Sequence, residues 1–238
     1  MAKRDQEESH DYEGKGKEEL LTEAEYLVKQ LAENLPSKVS RELVSDTSKT
    51  ALKAYVIRAS LFHRMAELAD VAIDLYRRNR LIAALVITRS AFETAALAYH
   101  TCKHIEKVVE TGKIGDIDET LMKVLFGERL PEAEWKSINI LTAIDKLDKE
   151  APGVRGLYED LCEFAHPNWS GAMGAYAKAD QDYFNLDFDQ KHKNVPPEAG
   201  LEALIGALVA FEHSESAMSA ILPDFTKIHE DSEGTQNE

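Results

Sequence analysis

LIAALVITRSAFETAALAYHTC, residues 81–102, decides the fold. Apolar side chains occupy most faces of this stretch, so a helix here must be enclosed by others. Leu85, Thr88, Phe92, Ala95 and Tyr99 recur every three or four residues, the period of an α-helix. The run approaches membrane-spanning length, but Arg89 and Glu93 stand near its middle, where lipid would penalise both charges. It reads instead as the central, most buried helix of a bundle, about Leu81 to Glu110, ended by Gly112 and Gly115.

The same period extends outward. Upstream, Leu52, Tyr55/Val56, Ala59, Phe62, Met65/Ala66, Ala69, Ile73 and Tyr76 predict a helix from about Thr47 to Asn79, with Arg77, Arg78 and Arg80 crowding its end. A first helix, about Glu18 to Asn34, carries Leu20, Leu21, Ala24, Leu27, Val28 and Leu31 on one stripe and stops before Pro36. Downstream come a short piece over Ile117 to Phe126 and a helix opened by Pro131 and closed by Ala151-Pro152-Gly153. Another helix follows over Val154 to Ala165, and a final one runs from Pro196-Pro197-Glu198 to about Leu222. Residues 170–197 are polar and irregular, with DYFNLDFD read as an aromatic clasp over the bundle. No strand run alternates convincingly. The expectation is an all-α fold, a single bundle of about five to seven helices over residues 18–227, between disordered charged tails at 1–17 and 228–238.

Composition narrows the function classes. The 238 residues are 44% hydrophobic, with 12 Gly and 7 Pro, so the core is sizeable and the punctuation sparse. A net charge of -15 argues against a generic DNA or RNA coat, which draws on Lys and Arg patches. The opening residues MAKRDQEESHDYEGKGKEE contain no apolar signal segment, and Cys102 and Cys162 do not make a disulfide framework. A cytoplasmic protein without a membrane anchor is expected, acting as a homo-oligomer or on a partner protein.

Arg89 and Glu93 are the only formal charges in the central stretch and share a helix face at i and i+4. The plainer reading is a buried ion pair that fixes helix register. The functional reading adds the segment YEDLCEFAHPNWSGAMG, residues 158–174. Pro167 disfavours helical geometry at His166, so a helix should end there, and its terminal carbonyls favour a cationic imidazole. If His166 and Asn168 fold back over Arg89 and Glu93, they make a polar pocket with an acid–base group and an anion clamp.

Metal and cofactor chemistry find little support in the spacing. Glu163-x-x-His166 matches half of a di-iron ligand set, but no second Glu-x-x-His occurs. His63-x-x-x-Glu67, His100-x-x-x-His104 and Glu212-His213 complete no set either, so no metal and no cofactor are expected. Ser170 beside Gly171 lacks the strand of a nucleophile elbow, and there is no phosphate-cradling glycine loop.

TRSAFETAALAYH (88–100) and YEDLCEFAHPN (158–168) together resemble a group of poorly characterised bacterial helical proteins. Their shared pattern is Arg-Ser-x-x-Glu followed by Tyr-x-x-Leu-(Ser/Cys)-x-x-x-His-Pro-(Asn/Ser). Here it falls on Arg89, Ser90 and Glu93, then on Tyr158, Leu161, Cys162, His166, Pro167 and Asn168. That group is distantly similar to HEPN domains, several of which are metal-independent ribonucleases of toxin–antitoxin and phage-defence systems. The resemblance covers about residues 50–170. It implies either a helical binding or regulatory module in a stress or phage-defence system, or an RNA-cleaving enzyme. In the enzyme, His166 would be acid or base, Arg89 the phosphate clamp and Glu93 its orienter. Active HEPN ribonucleases carry Arg-x(4-6)-His, and the positions that would supply the arginine to His166 hold Glu159, Asp160 and Leu161. The spacing occurs instead at Arg58-Ala-Ser-Leu-Phe-His63, the alternative catalytic pair, and again from Arg4 to His10.

Overall fold

A computed structural model describes residues 15–179, 185–189 and 195–234. Among these residues there are nine α-helices: α1 (Lys17–Glu33), α2 (Arg41–Val44), α3 (Lys49–Arg77), α4 (Leu81–Thr111), α5 (Ile117–Phe126), α6 (Ile140–Glu150), α7 (Val154–Ala165), α8 (Gly174–Tyr176) and α9 (Pro197–Gly234). The number exceeds the five to seven expected because α2 and α8 are single turns, too short to show a period. α4 packs most extensively on α9 and α3, α6 and α7 also lie against it, and α1 covers α3 and α9. α4 alone is long and apolar enough among the described residues to cross a membrane, and 56% of its apolar window is buried inside the bundle.

A tight turn joins α3 to α4. Asn79 adopts a left-handed φ of 55° between the two helices, a conformation that asparagine tolerates better than most residues. The amide of Arg80 donates to the Leu75 carbonyl at 2.8 Å and that of Asn79 to Tyr76 at 3.1 Å, the Schellman pattern. One turn further in, the buried Tyr76 hydroxyl and Thr88 Oγ1 meet at 3.0 Å. Gly200 of α9 lies against the same Tyr76 hydroxyl and Leu85, so closely that any β-carbon would collide with both. Phe62 and Phe211 add an edge-to-face contact between α3 and α9, with centroids 5.7 Å apart.

Three expectations are corrected. Pro131 does not open a helix: α6 starts at Ile140, where Asn139 Oδ1 accepts the Leu141 amide at 3.1 Å. None of residues 127–139 is buried, so no apolar stripe stabilises a helix there. The segment folds instead as a loop whose Lys136 ammonium donates to the carbonyls of Leu130 and Pro131. Second, α9 does not stop at Leu222 but continues through Pro223 to Gly234. Pro223 lacks the amide for the Ser219 carbonyl, a cost of about 3 kcal/mol. Burial of Leu222, Phe225, Thr226 and His229 around it offsets that loss. The expected C-terminal tail thus begins within α9, while 235–238 and residues 1–14 lie outside the described residues.

Third, the segment after α7 is not wholly irregular. A π-helical turn (Trp169–Met173) and α8 lead into a two-stranded antiparallel hairpin, β1 (Ala177–Ala179) with β2 (Leu186–Phe188). Phe188 is 67% exposed rather than packed on the bundle, and Asp182 to Phe184 lie outside the described residues.

Candidate functional site

The antiparallel packing of α7 on α4 brings Tyr158 and Cys162 onto the charged face of α4. Glu93 and Arg89 pair at 2.9 Å, and the Tyr158 hydroxyl joins them: it accepts from Arg89 Nη2 at 3.0 Å and donates to Glu93 Oε1 at 2.8 Å. Arg89 Nε donates to Cys162 Sγ at 3.2 Å, and the guanidinium lies 5.4 Å from the centre of the Tyr158 ring. Two residues one turn apart on α4 are thus locked to two residues one turn apart on α7.

The electrostatics fix the direction of these bonds. Burial and the hydrogen bond to Glu93 push the Tyr158 phenol up to about 12, so it keeps its proton and donates it. Burial would lower Arg89, but the bonds to Tyr158 and Cys162 and the charge of Glu93 outweigh it and raise the guanidinium further. The pair is not sealed. The Arg89 side chain is 32% exposed and that of Glu93 24%. Beside them lies a groove of about 470 Å³, to which the 127–139 loop and its flank contribute Arg129, Ser137 and Asn139.

His166 and Asn168 take other positions. His166 is exposed at the end of α7, with an extended φ of -83° and ψ of 145°, as Pro167 demands, and its amide donates to the Cys162 carbonyl at 3.1 Å. Asn168, beyond the end of α7, caps the π-helical turn and reaches back to α7: Oδ1 accepts the Gly171 amide at 3.0 Å and Nδ2 donates to Glu163 Oε2 at 2.7 Å. Gly171 sits so close to the carbonyls of His166 and Phe164 that a side chain would not fit. Among the described residues no hydrogen bond, ion pair or ring contact joins His166 or Asn168 to Arg89 or Glu93. The proximity of Cys162 to Arg89 still leaves His166 only one helical turn beyond the network, about 6 Å along the axis.

Arg58 and His63 also have separate partners. Arg58 is ion-paired to Glu215 of α9, while His63 Nε2 meets the Pro36 carbonyl at 2.9 Å on the outside of the bundle. Glu163, the carboxylate of the single di-iron-like spacing, is engaged by Asn168. Among the described residues no three His, Cys, Asp or Glu side chains gather as a metal would require.

Sequence reasoning placed Arg89 and Glu93 on one face but assigned no role to the residue that joins them. The available signal was a tyrosine in the apolar stripe of α7, since a buried phenol needs a hydrogen-bond partner. Arg129 carried no such signal, because only the loop conformation brings it to the groove. No family model, curated protein or solved structure matches the chain.

Proposed function

We propose that the chain is a helical binding or regulatory module, acting inside the cell through a second copy of itself or a partner protein. The observation that carries this reading is the commitment of Arg89. Its Nε donates to Cys162 and its Nη2 to Tyr158 and Glu93, and the Tyr158 phenol in turn donates to Glu93. Such a mutually satisfied set fixes how α7 sits on α4, and it needs no substrate to complete it. Exposed apolar side chains on and after α7 (Leu157, Trp169 and Met173) supply surface for a partner. The resemblance of residues 88–100 and 158–168 to bacterial helical proteins distantly similar to HEPN domains supports a role in a stress or phage-defence system.

A second reading has one observation in its favour. Arg89 and Arg129 both line the open groove, where a phosphate could meet them, with His166 a turn away as acid or base. This is the metal-independent ribonuclease. The two readings separate in a cleavage assay on total RNA and tRNA with excess chelator, comparing the unmodified protein with His166→Ala and Arg89→Ala at matched folding. A binding module leaves the RNA intact in all three. Cleavage by the unmodified protein that disappears in both variants would replace the module with the nuclease.

A further inference from the structure

The chain carries 43 acidic against 28 basic side chains, and several of its arginines are matched to carboxylates. Arg77 pairs with Glu25, Arg78 with Asp74, and Arg155 with Asp145 and Glu159. One groove gathers four lysines. Between the second half of α4 and α6, a cavity of about 320 Å³ is lined by Lys103 and Lys107 from one helix and Lys146 and Lys149 from the other. Helical spacing puts them there, since each pair stands one turn apart. Lys103 bridges to Glu106 at 2.8 Å, and Glu150 also lines the groove, beside Tyr99. Among the described residues no carboxylate lies within ion-pair distance of Lys107, Lys146 or Lys149.

The wall of the groove sharpens the imbalance. Lys146 Nζ stands 3.5 Å from His100 Nδ1 and 3.4 Å from His104 Nε2, and the two rings are 4.5 Å apart. An ammonium has no lone pair, so it donates to both rings, and each ring must be neutral at the nitrogen it offers. Burial, His104 and Lys146 hold His100 down to about 4; burial and Lys146 also lower His104, with Asp116 opposing. Lys146 therefore spends two donors on neutral acceptors and keeps one donor and its whole charge. Histidines one turn apart are also a metal-ligand spacing. Here the ammonium already takes both facing nitrogens, and the neighbouring lysines would repel a cation.

We propose that this groove binds a small phosphate-bearing anion, with Lys146 as its central donor and Lys107 and Lys149 supplying the remaining charge. Three unpaired ammonium groups match a compact ligand of more than one negative charge, such as a phosphomonoester or pyrophosphate, better than a single carboxylate. Glu150 in the lining, Glu106 paired to Lys103 and the net charge of -15 disfavour a running nucleic-acid backbone. The site shares no residue with the Arg89 network and stands independently of it.

Calorimetric titration of the full chain with pyrophosphate at low ionic strength tests the assignment. Binding is expected with a Kd at or below about 1 mM, weakening with added salt. Lys146→Met should weaken it roughly tenfold or more, and so should the double variant Lys107→Gln/Lys149→Gln, which leaves the histidine wall intact. Lys29→Gln on α1 should leave it unchanged. Three results would overturn the proposal: no binding by the folded, unmodified protein, binding indifferent to both groove variants, or zinc captured by the histidine pair. Displacement of pyrophosphate by a short single-stranded RNA at lower concentration would give the groove to a nucleic-acid backbone instead, and overturn it equally.

Discussion

Replacing Tyr158 by phenylalanine isolates the hydroxyl that joins α4 to α7. The phenyl ring still fills the same buried space, 2% exposed, and still lies under the Arg89 guanidinium. What disappears is one hydrogen bond from Arg89 and one to Glu93. A bond to a charged partner contributes about 1.5–3 kcal/mol net. Two are lost, but Arg89 and Glu93 remain paired with each other and, being partly exposed, recover some hydration. The expected loss is therefore about 2 kcal/mol, below the roughly 3–6 kcal/mol that the two bonds would sum to if nothing were recovered. For a chain of this size that lowers the melting temperature by about 4–8 °C. Urea unfolding gives the free energy directly, and a cycle with Glu93→Gln should show a coupling of roughly 1 kcal/mol. A Tyr158→Phe protein within about 0.5 kcal/mol of the original would refute the reasoning, since the hydroxyl would then hold nothing.

Glu215→Ala leaves the half-buried Arg58 without its partner and should cost about 2 kcal/mol in the same unfolding assay, well above an exposed pair. The histidine wall makes stability depend on pH. His100 is 5% exposed and is held near 4 against an ordinary 6.5, so between those values the unfolded chain binds the proton that the folded one refuses. Stability is complete above about pH 6.5 and falls as the pH drops toward 4, by roughly 2 kcal/mol after allowance for screening. His100→Gln should remove that part of the slope in unfolding titrations across the window.

The helices legible in the sequence were those whose apolar stripe and punctuation agree. α4 shows a continuous period ended by Gly112, which takes a left-handed φ of 64° as its cap; α7 ends where Pro167 forces His166 out of helical geometry. Two helix ends read differently in the structure. Pro131 has the position of a helix start but no stripe behind it, whereas the final helix, expected to end at about Leu222, runs on through Pro223 because the side chains around that proline are buried by the rest of the bundle. At the candidate site the local part was readable, because Arg89 and Glu93 lie one turn apart. The long-range part was not: Tyr158 reaches Glu93 across 65 positions of sequence, a contact set by how α7 packs. Asn168 was expected over Arg89, but it binds Glu163 of α7, the helix that ends just before it. The histidine pair at 100 and 104 looked incomplete as a metal site, and only the approach of α6 reveals Lys146 as its third member.

The most direct test is one urea titration series comparing Arg89→Ala with His166→Ala. If the α4–α7 network is architectural and His166 stands outside it, Arg89→Ala loses about 2–3 kcal/mol by stranding Glu93 and Tyr158. His166→Ala, at an exposed helix end, then stays within about 0.5 kcal/mol. Two fully stable variants would contradict this, and would return Arg89 to the open groove as a residue kept for chemistry.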